Sequence, residues 1–189
     1  MKSRIFFIFF FILTISATYL QSYVLEGYKW ANAQYTYFIN PANGDITRQA
    51  AITAIKNASN TWAPWCPGTY LGTTTLHTVS NNGKNTVFFR NASSGNAIAA
   101  TYIYYNPNTH RILDFDMVFY DKAWRFYAGS TGCVQGFYVR DIATHEFGHV
   151  IGLDHSHVLA ATMYPSAPFC TTQLRTLAQD DINGANAIY

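Results

Sequence analysis

The sequence predicts an α+β domain built on a mixed β-sheet, and its patterning carries this prediction. Short runs rich in β-branched and aromatic residues, bounded by turn residues, are mixed with two longer stretches in which apolar residues recur at helical spacing. The 189 residues are 49% apolar and contain no internal repeat or linker. They therefore fit one domain with a sizeable core.

The first half of the chain predicts one long helix between strands. Residues 34–39 alternate and are rich in β-formers, which favours a strand. Asp45 is a good N-cap, and apolar residues recur at helical spacing from Ile46 until the helix must end before Pro64. Residues 69–79 are rich in Thr and apolar side chains and predict the next strand.

The second half predicts further strands, the second long helix and a terminal helix. Asn-Gly and Asn-Pro turns bound strands at residues 86–89, 97–105 and 112–120. A loop of small residues leads into a helix at residues 137–151, whose Val, Ile and Ala side chains supply a buried side. Periodic apolar residues over 174–189 predict a helix that closes the chain.

Residues 1–22 have the layout of a secretory signal peptide. Lys2 and Arg4 precede a nearly uninterrupted apolar run at residues 5–15, and small residues follow it. The rival interpretation is a membrane anchor, but this run is well short of the ~20 residues that a membrane-spanning helix needs. We therefore expect cleavage, secretion of residues 23–189, and no stable insertion in a membrane.

Three cysteines follow the apolar N-terminal run, and an oxidising compartment permits one disulfide among them. Three pairings are open. Cys133 precedes the second long helix and Cys170 follows a later turn, so these two form our candidate pair. Cys66 would then keep a free thiol.

The strongest indication of function is the run from His145 to His155, which fits H-E-x-x-H-x-x-G-x-x-H at every fixed position. His145 and His149 fall on one face of a helix of ~3.6 residues per turn. Gly152 can adopt positive φ and turn the chain back, so that His155 reaches the same metal ion. Three imidazoles without a thiolate suit Zn²⁺ with an open coordination position, as in catalytic sites. Glu146 is the natural acceptor for a proton of water, which points to hydrolysis of an amide bond.

The motif and the sequence Met163-Tyr164-Pro165 after it resemble the metzincins. Three further stretches resemble the matrixin branch of that group: Tyr28-Lys29-Trp30, Asp141-Ile142-Ala143-Thr144 and Asp180-Asp181-Ile182. The resemblance covers about residues 23–189. It implies a zincin-like fold with a twisted, mostly parallel mixed sheet, two long helices, and a small C-terminal subdomain that holds a Met-turn and the terminal helix. A peptide-binding cleft would lie between the two parts.

The resemblance also implies roles for residues outside the motif. Met163 would form a hydrophobic floor beneath the histidines without binding the metal. An edge strand on the upper rim would pair with the main chain of an extended substrate. The segment after the Met-turn would line the pocket beside the scissile bond, although a plain surface loop is the alternative there. The substrate-binding residues implied are Ala97, Ile98, Ala99, Pro165, Ser166 and Ala167.

Departures from the family pattern bear on cofactors and latency. Ala97-Ile98-Ala99 and Asp116-Met117-Val118 lack the histidines that would hold a second, structural zinc, so we expect one catalytic Zn²⁺. Asp114, Asp116 and Asp121 could hold Ca²⁺ together with backbone carbonyls, or could be solvated acidic residues at strand ends. No Pro-Arg-Cys-Gly type of inhibitory segment occurs, and we expect no prodomain.

We therefore predict a secreted zinc endopeptidase that acts as a monomer on protein or peptide substrates. The alternative is a catalytically silent zinc-binding or adhesive domain on the same fold, although such a domain has no need of Glu146. A surface-coat or inhibitor-like module, suggested by the 17% aromatic content, would not depend on metal. Nucleic acid is not an expected partner, because the net charge is only +2 and the Lys and Arg residues are scattered.

Overall fold

The computed structural model describes residues 22–93 and 95–189, so the signal peptide expected at residues 1–22 lies outside the described residues except for Ser22. The described residues form a five-stranded sheet, two small two-stranded sheets and three helices. In chain order the elements are β1 (Val24–Leu25), β2 (Tyr35–Asn40), α1 (Arg48–Thr61), β3 (Gly68–Thr73), β4 (Thr86–Arg90), β5 (Ala99–Asn106), β6 (Arg111–Tyr120), β7 (Phe126–Tyr127), β8 (Phe137–Tyr138), α2 (Val139–Val150), β9 (Leu153–Asp154) and α3 (Gln179–Ile188).

The large sheet has the strand order β3-β2-β4-β6-β5. Strands β3, β2, β4 and β6 run parallel to one another, whereas β5 lies at the end of the sheet and pairs antiparallel with β6. Among the described residues, no strand pairs with the outer edge of β5. The predicted α+β fold with a mostly parallel mixed sheet is confirmed.

The strand predicted over residues 69–79 is wrong in its second half, because β3 ends at Thr73 and a loop follows. This loop crosses to carboxylates of β6. The amide of Ser80 donates to Asp116 Oδ2 at 2.8 Å, and the amides of Asn82 and Gly83 donate to Asp114 Oδ2, also at 2.8 Å. Buried acceptors thus compete successfully with the strand propensity of the Thr-rich sequence.

The N-cap of helix α1 is Thr47. The sequence-based prediction of Asp45 as the N-cap is therefore wrong. Thr47 Oγ1 accepts a hydrogen bond from the Ala50 amide at 3.2 Å, the usual N-cap geometry. The Asp45 carboxylate instead accepts from the amide of Phe126 at 2.9 Å, a residue far along the chain. Tertiary contact has therefore moved the start of the helix.

The other two helices are shorter than the patterns predicted. Helix α2 begins two residues after the start of the predicted span and ends at Val150, while residues 174–178 precede the first turn of α3. Within residues 22–93 and 95–189, no helix combines the length and apolar character required to cross a bilayer.

Phe147 anchors helix α2 against the sheet. Its fully buried ring lies 6.0 Å from that of Tyr35, 5.5 Å from that of Tyr37 and 6.4 Å from that of Phe115, measured between ring centroids. Burying such a side chain stabilises the fold by roughly 1.5–3 kcal/mol. Helix α1 packs beside it, and Trp62 Nε1 donates to the Thr144 carbonyl at 2.8 Å. These contacts fix which face of α2 points away from the core.

Candidate metal centre

Helix α2 and the turn after it bring three imidazoles together. One nitrogen from each of His145, His149 and His155 lies within 4.8 Å of the others. The ring centroids are 5.0, 5.2 and 4.9 Å apart. Within the part of the chain that the structure describes, this is the one group of three or more His, Cys, Asp or Glu residues with the spacing of a metal site.

Gly152 makes the turn that brings the third histidine back. Its φ is +105°, a value that L-residues rarely adopt, and its amide donates to the His149 carbonyl at 2.9 Å. A Cβ at this position would also overlap the carbonyl oxygen of Tyr28. The following strand β9 pairs with β1, and the His155 amide then donates to Asp154 Oδ1 at 2.6 Å. The positive φ predicted for Gly152 is confirmed.

Backbone carbonyls orient the two histidines on the helix. His145 Nδ1 lies 2.7 Å from the Thr162 carbonyl, and His149 Nδ1 lies 2.8 Å from the Leu153 carbonyl. A carbonyl can only accept, so each Nδ1 carries the proton. The Nε2 lone pair of each ring is then available to a metal ion.

Burial also keeps the imidazoles neutral. It lowers the pKa of His145 and of the more exposed His155 from the ordinary range. The pKa of His149 falls to about 3, first through burial and then through the neighbouring His145. At neutral pH the histidines are therefore in the form that binds metal.

Glu146 lies beside them and is nearly buried, with 6% of its surface exposed. Burial raises the pKa of this carboxyl to about 7, against the smaller opposing effects of Thr101 and His155. Thr101 Oγ1 donates to Glu146 Oε2 at 2.6 Å. The sequence placed Thr101 in the edge strand but gave it no role. Its only local signal is a polar residue between the apolar Ala99 and Ile103, which share its face of β5.

Met163 lies in a tight turn beneath α2. The turn is closed by a hydrogen bond from the Tyr164 amide to the Ala161 carbonyl at 3.2 Å, and Met163 is only 2% exposed. A Cβ at Gly148 would overlap Met163 Sδ, so the absence of a side chain at Gly148 lets the methionine pack closely against helix α2. The sequence gave no reason for this glycine.

Asp181 of helix α3 holds the turn that carries Met163. Its carboxylate accepts from the amides of Thr162 at 2.8 Å and Met163 at 3.0 Å. The Thr162 carbonyl is the partner of His145, so Asp181 acts on the histidine cluster through the backbone. The resemblance had included Asp181 in a motif without giving it this contact.

A cavity of about 210 Å³ opens beside the cluster. His145, Glu146 and His155 line it, together with all six residues that the resemblance implied for substrate binding: Ala97, Ile98, Ala99, Pro165, Ser166 and Ala167. Ile142 and Leu174 add apolar walls that the sequence did not assign. A larger cavity of about 590 Å³ beside α1 has neither carboxylate nor imidazole in its lining, so size alone does not locate the site.

The structure joins Cys133 to Cys170, whose Cα atoms are 5.5 Å apart, and leaves Cys66 as a buried free thiol. The Cys170 amide also donates to the Gly136 carbonyl at 2.9 Å. The segment that lines the cavity at residues 165–167 is thereby tied, a few residues later, to the loop that precedes helix α2.

Comparison with known proteins gives the same family that the sequence motifs resemble. The family model for matrixins matches residues 29–189. Interstitial collagenase of Equus caballus is 30% identical over 167 residues, which are 85% of this chain and 33% of that protein. Interstitial collagenase of Bos taurus is 30% identical over 85% of this chain and 32% of its own length. For stromelysin-1 of Mus musculus the identity is 30%, over 85% of this chain and 33% of that protein.

The chain spans about a third of the length of these relatives. The family match, in contrast, covers most of the chain and includes the histidine cluster, Glu146 and the turn at Met163. The chain belongs to the matrixin family of zinc-dependent metallopeptidases.

Proposed function

We propose that this chain is an exported zinc endopeptidase that cleaves extended segments of proteins, with Glu146 as general base. One observation carries the proposal: the buried Glu146 carboxylate and two of the three clustered imidazoles, His145 and His155, line one cavity with Ala99, the first residue of the edge strand β5. An adhesive or purely metal-binding domain does not require the carboxylate.

The donor set fits zinc. His145 and His149 keep Nε2 free because each Nδ1 proton is used on a carbonyl, and His155 provides the third nitrogen. Nitrogen ligands without thiolate or clustered carboxylates favour Zn²⁺ over Ca²⁺ or Mg²⁺. Bound there, Zn²⁺ would supply Lewis acidity that lowers the pKa of water and polarises a carbonyl group.

Glu146 would move the proton during hydrolysis. Its carboxylate accepts a proton from the water whose oxygen attacks the scissile carbonyl carbon, forming the new C–O bond. The C–N bond then breaks, and the protonated Glu146 returns the proton to the leaving amine nitrogen. The low exposure of Glu146 protects this proton from exchange with bulk water.

The free edge of β5 would hold the substrate. Strand β5 is the last strand of the sheet, so within the described part of the chain one row of its backbone amides and carbonyls has no neighbouring strand. An extended peptide can pair there through main-chain hydrogen bonds that do not read its sequence. The apolar walls of the cavity, Ile98, Ile142 and Leu174, favour an apolar side chain next to the scissile bond.

The test compares the purified zinc-loaded wild type with Glu146→Gln of equal zinc content, on an unfolded protein substrate with and without a chelator. We expect chelator-sensitive cleavage that falls by about 10²–10⁴-fold in the variant, the contribution of a general base. His157→Ala is the matched control, because His157 is exposed and lies two residues beyond the third histidine of the cluster. Zinc-loaded wild type that cleaves nothing would favour the silent zinc-binding domain.

Export is proposed from residues 1–22, whose charged, apolar and small-residue regions follow each other as in signal peptides. We expect a mature chain that begins near Tyr23 and is found outside the producing cell. N-terminal sequencing of the protein from the medium measures this directly, and an intact residue 1 in a membrane fraction would contradict it.

We also propose that Ca²⁺ binds at the paired acidic residues of β6. Asp114 and Asp116 are completely buried, and Oδ1 of each has no hydrogen-bond partner among the residues that the structure describes. Burial and the neighbouring Asp114 raise the pKa of Asp116 to about 6. A hard divalent cation would satisfy both oxygens and compensate the two charges.

Thermal unfolding with and without Ca²⁺ tests this site. Calcium should raise the Tm of the wild type but not that of Asp116→Asn. Asp121, whose Oδ1 also lacks a partner, lies outside the pair, so Asp121→Asn shows whether it contributes separately. A Tm that does not respond to calcium in the wild type would remove the proposal.

A further inference from the structure

Thr101 makes a direct hydrogen bond to the proposed general base. Its Oγ1 donates to Glu146 Oε2 at 2.6 Å, which is the length of an O–H···O⁻ bond to an ionised group, about 2.5–2.7 Å. Oγ1 also lies 3.4 Å from the Glu146 carbonyl oxygen. The hydroxyl carries one proton, so the shorter contact to the carboxylate is the bond.

Packing alone does not explain a hydroxyl at this position. Residue 101 pairs with Met117 of β6 and lies between Ala99 and Ile103, which pack against the main core. An apolar side chain would suit this face of β5. A buried carboxylate oxygen without a donor, however, is strongly destabilised by the loss of its hydration. Thr101 therefore supplies the hydrogen-bond donor that the buried Glu146 carboxylate requires.

The contact gives the two carboxylate oxygens of Glu146 different roles. Oε2 is held by Thr101, and Oε1 is left for the water that gives up its proton. Glutamate has three rotatable side-chain bonds, whereas χ1 of a β-branched threonine in a strand is stiff. A stiff donor fixes the carboxylate plane before the substrate arrives, so less orientational entropy is lost in the reaction.

The same strand carries the free edge that we assign to the substrate. Thr101 lies on β5, two residues after Ala99, which lines the cavity. One side of the strand backbone pairs with β6, and no strand in residues 22–93 or 95–189 pairs with the other side. The Thr101 hydroxyl consequently sets the position of Glu146 relative to the strand that would align the scissile bond.

We propose that Thr101 is a positioning residue, which orients the Glu146 carboxylate relative to the substrate-binding edge of β5. This inference rests on the proposed peptidase function and adds a residue to it. The hydroxyl acts through Glu146, to which it donates its proton in a hydrogen bond.

The experiment measures kcat and KM per bound zinc for the wild type, Thr101→Val and Thr101→Ser. Valine keeps the shape and the β-branch but removes the donor, and serine restores the donor. We expect kcat to fall at least about tenfold in Thr101→Val, with KM unchanged within about twofold, and to recover in Thr101→Ser. Thr86→Val is the matched control, because Thr86 is a buried strand threonine whose hydroxyl donates only to the Lys84 carbonyl at 2.9 Å.

A second measurement needs no activity. In the metal-free protein, Thr101→Val should lower the urea midpoint when Glu146 is present but not in a Glu146→Ala background. Only the protein that retains Glu146 has a hydrogen bond to lose when Thr101 is replaced. Additive effects of the two substitutions would contradict the coupling.

Several results would overturn the inference: an unchanged kcat in Thr101→Val, a change confined to KM, or a serine variant as slow as the valine variant. A zinc-loaded wild type with no cleavage would instead overturn the proposed function itself. An active wild type with an unaffected Thr101→Val variant overturns only the role of Thr101.

Discussion

Replacing Asp181 by Asn should weaken the turn beneath the histidine cluster. The carboxylate is 1% exposed and accepts three backbone amides: Thr162 at 2.8 Å, Met163 at 3.0 Å and Ala178 at 2.8 Å. An asparagine oxygen in the place of Oδ2 keeps the bonds from Thr162 and Ala178 without their charge. Its NH₂ group then faces the Met163 amide, donor against donor.

The cost can be worked from these contacts. A hydrogen bond to a charged group contributes about 1.5–3 kcal/mol, and an unsatisfied buried donor costs about 1–3 kcal/mol. Losing the bond to Met163 and the charge on the other two bonds should lower the free energy of unfolding by roughly 3 kcal/mol. At about 2–4 °C per kcal/mol for a domain of this size, the Tm should fall by roughly 6–12 °C.

Urea unfolding of the metal-free protein and the rate of zinc release measure the two consequences separately. Zinc should leave faster, because the Thr162 carbonyl that orients His145 belongs to the weakened turn. Asp180→Asn is the control: it makes the same charge change on α3, but Asp180 accepts from the hydroxyl groups of Ser22 and Ser156, which can turn. A loss below about 0.5 kcal/mol, the level of an ordinary surface substitution, together with unchanged zinc release would refute the reasoning.

Three further perturbations have outcomes set by the structure. Gly148→Ala places a methyl group against Met163 Sδ and 3.1 Å from a Trp62 ring carbon. This overpacking should lower the free energy of unfolding in urea by roughly 1–3 kcal/mol, although alanine has the better helix propensity. A variant as stable as the wild type would contradict the close approach of Met163 to Gly148. Replacing both Cys133 and Cys170 by Ser removes a disulfide between residues separated by 37 positions. The free energy of unfolding should fall by about 4 kcal/mol, because the unfolded chain gains the entropy of the opened loop. Calorimetry should then show a clearly lower Tm that no longer responds to reductant, and a Tm equal to that of the wild type would exclude this contribution. Because the pKa of Asp116 is raised to about 6 in the folded state, above about 3.9 when unfolded, the folded state binds more protons between these values. The stability that protonated Asp116 contributes is therefore present below about pH 4 and lost as the pH rises through 6. With chelator present, the urea midpoint of the wild type should fall over this pH window, and that of Asp116→Asn should fall less steeply.

Local spacing explains how much of this site was visible in the sequence. His145 and His149 share a helix face because they are four residues apart, and Gly152 turns the chain because glycine tolerates positive φ. Each of these statements concerns residues within one or two turns of each other. The order of long helices and most strands was equally readable, since alternation and helical periodicity are local.

Element boundaries were less accessible wherever a distant group supplied a stronger partner. Asp45 has the chemistry of an N-cap, but it binds the amide of Phe126, and Thr47 caps the helix. The strand that begins at Gly68 ends early because the following loop donates its amides to Asp114 and Asp116. Propensity cannot decide between a local and a remote hydrogen-bond partner of similar strength.

The sequence by itself determined the donor set: three imidazoles and a carboxylate at fixed spacing, on an α+β chain of the matrixin family. Only the tertiary structure decided which groups hold that donor set in place. Thr101 meets Glu146 across 45 residues, and Asp181 meets Met163 across 18. No local periodicity encodes such separations. They arise because helix α2 buries Phe147 against the sheet, and this packing brings β5 into contact with the helix that carries Glu146.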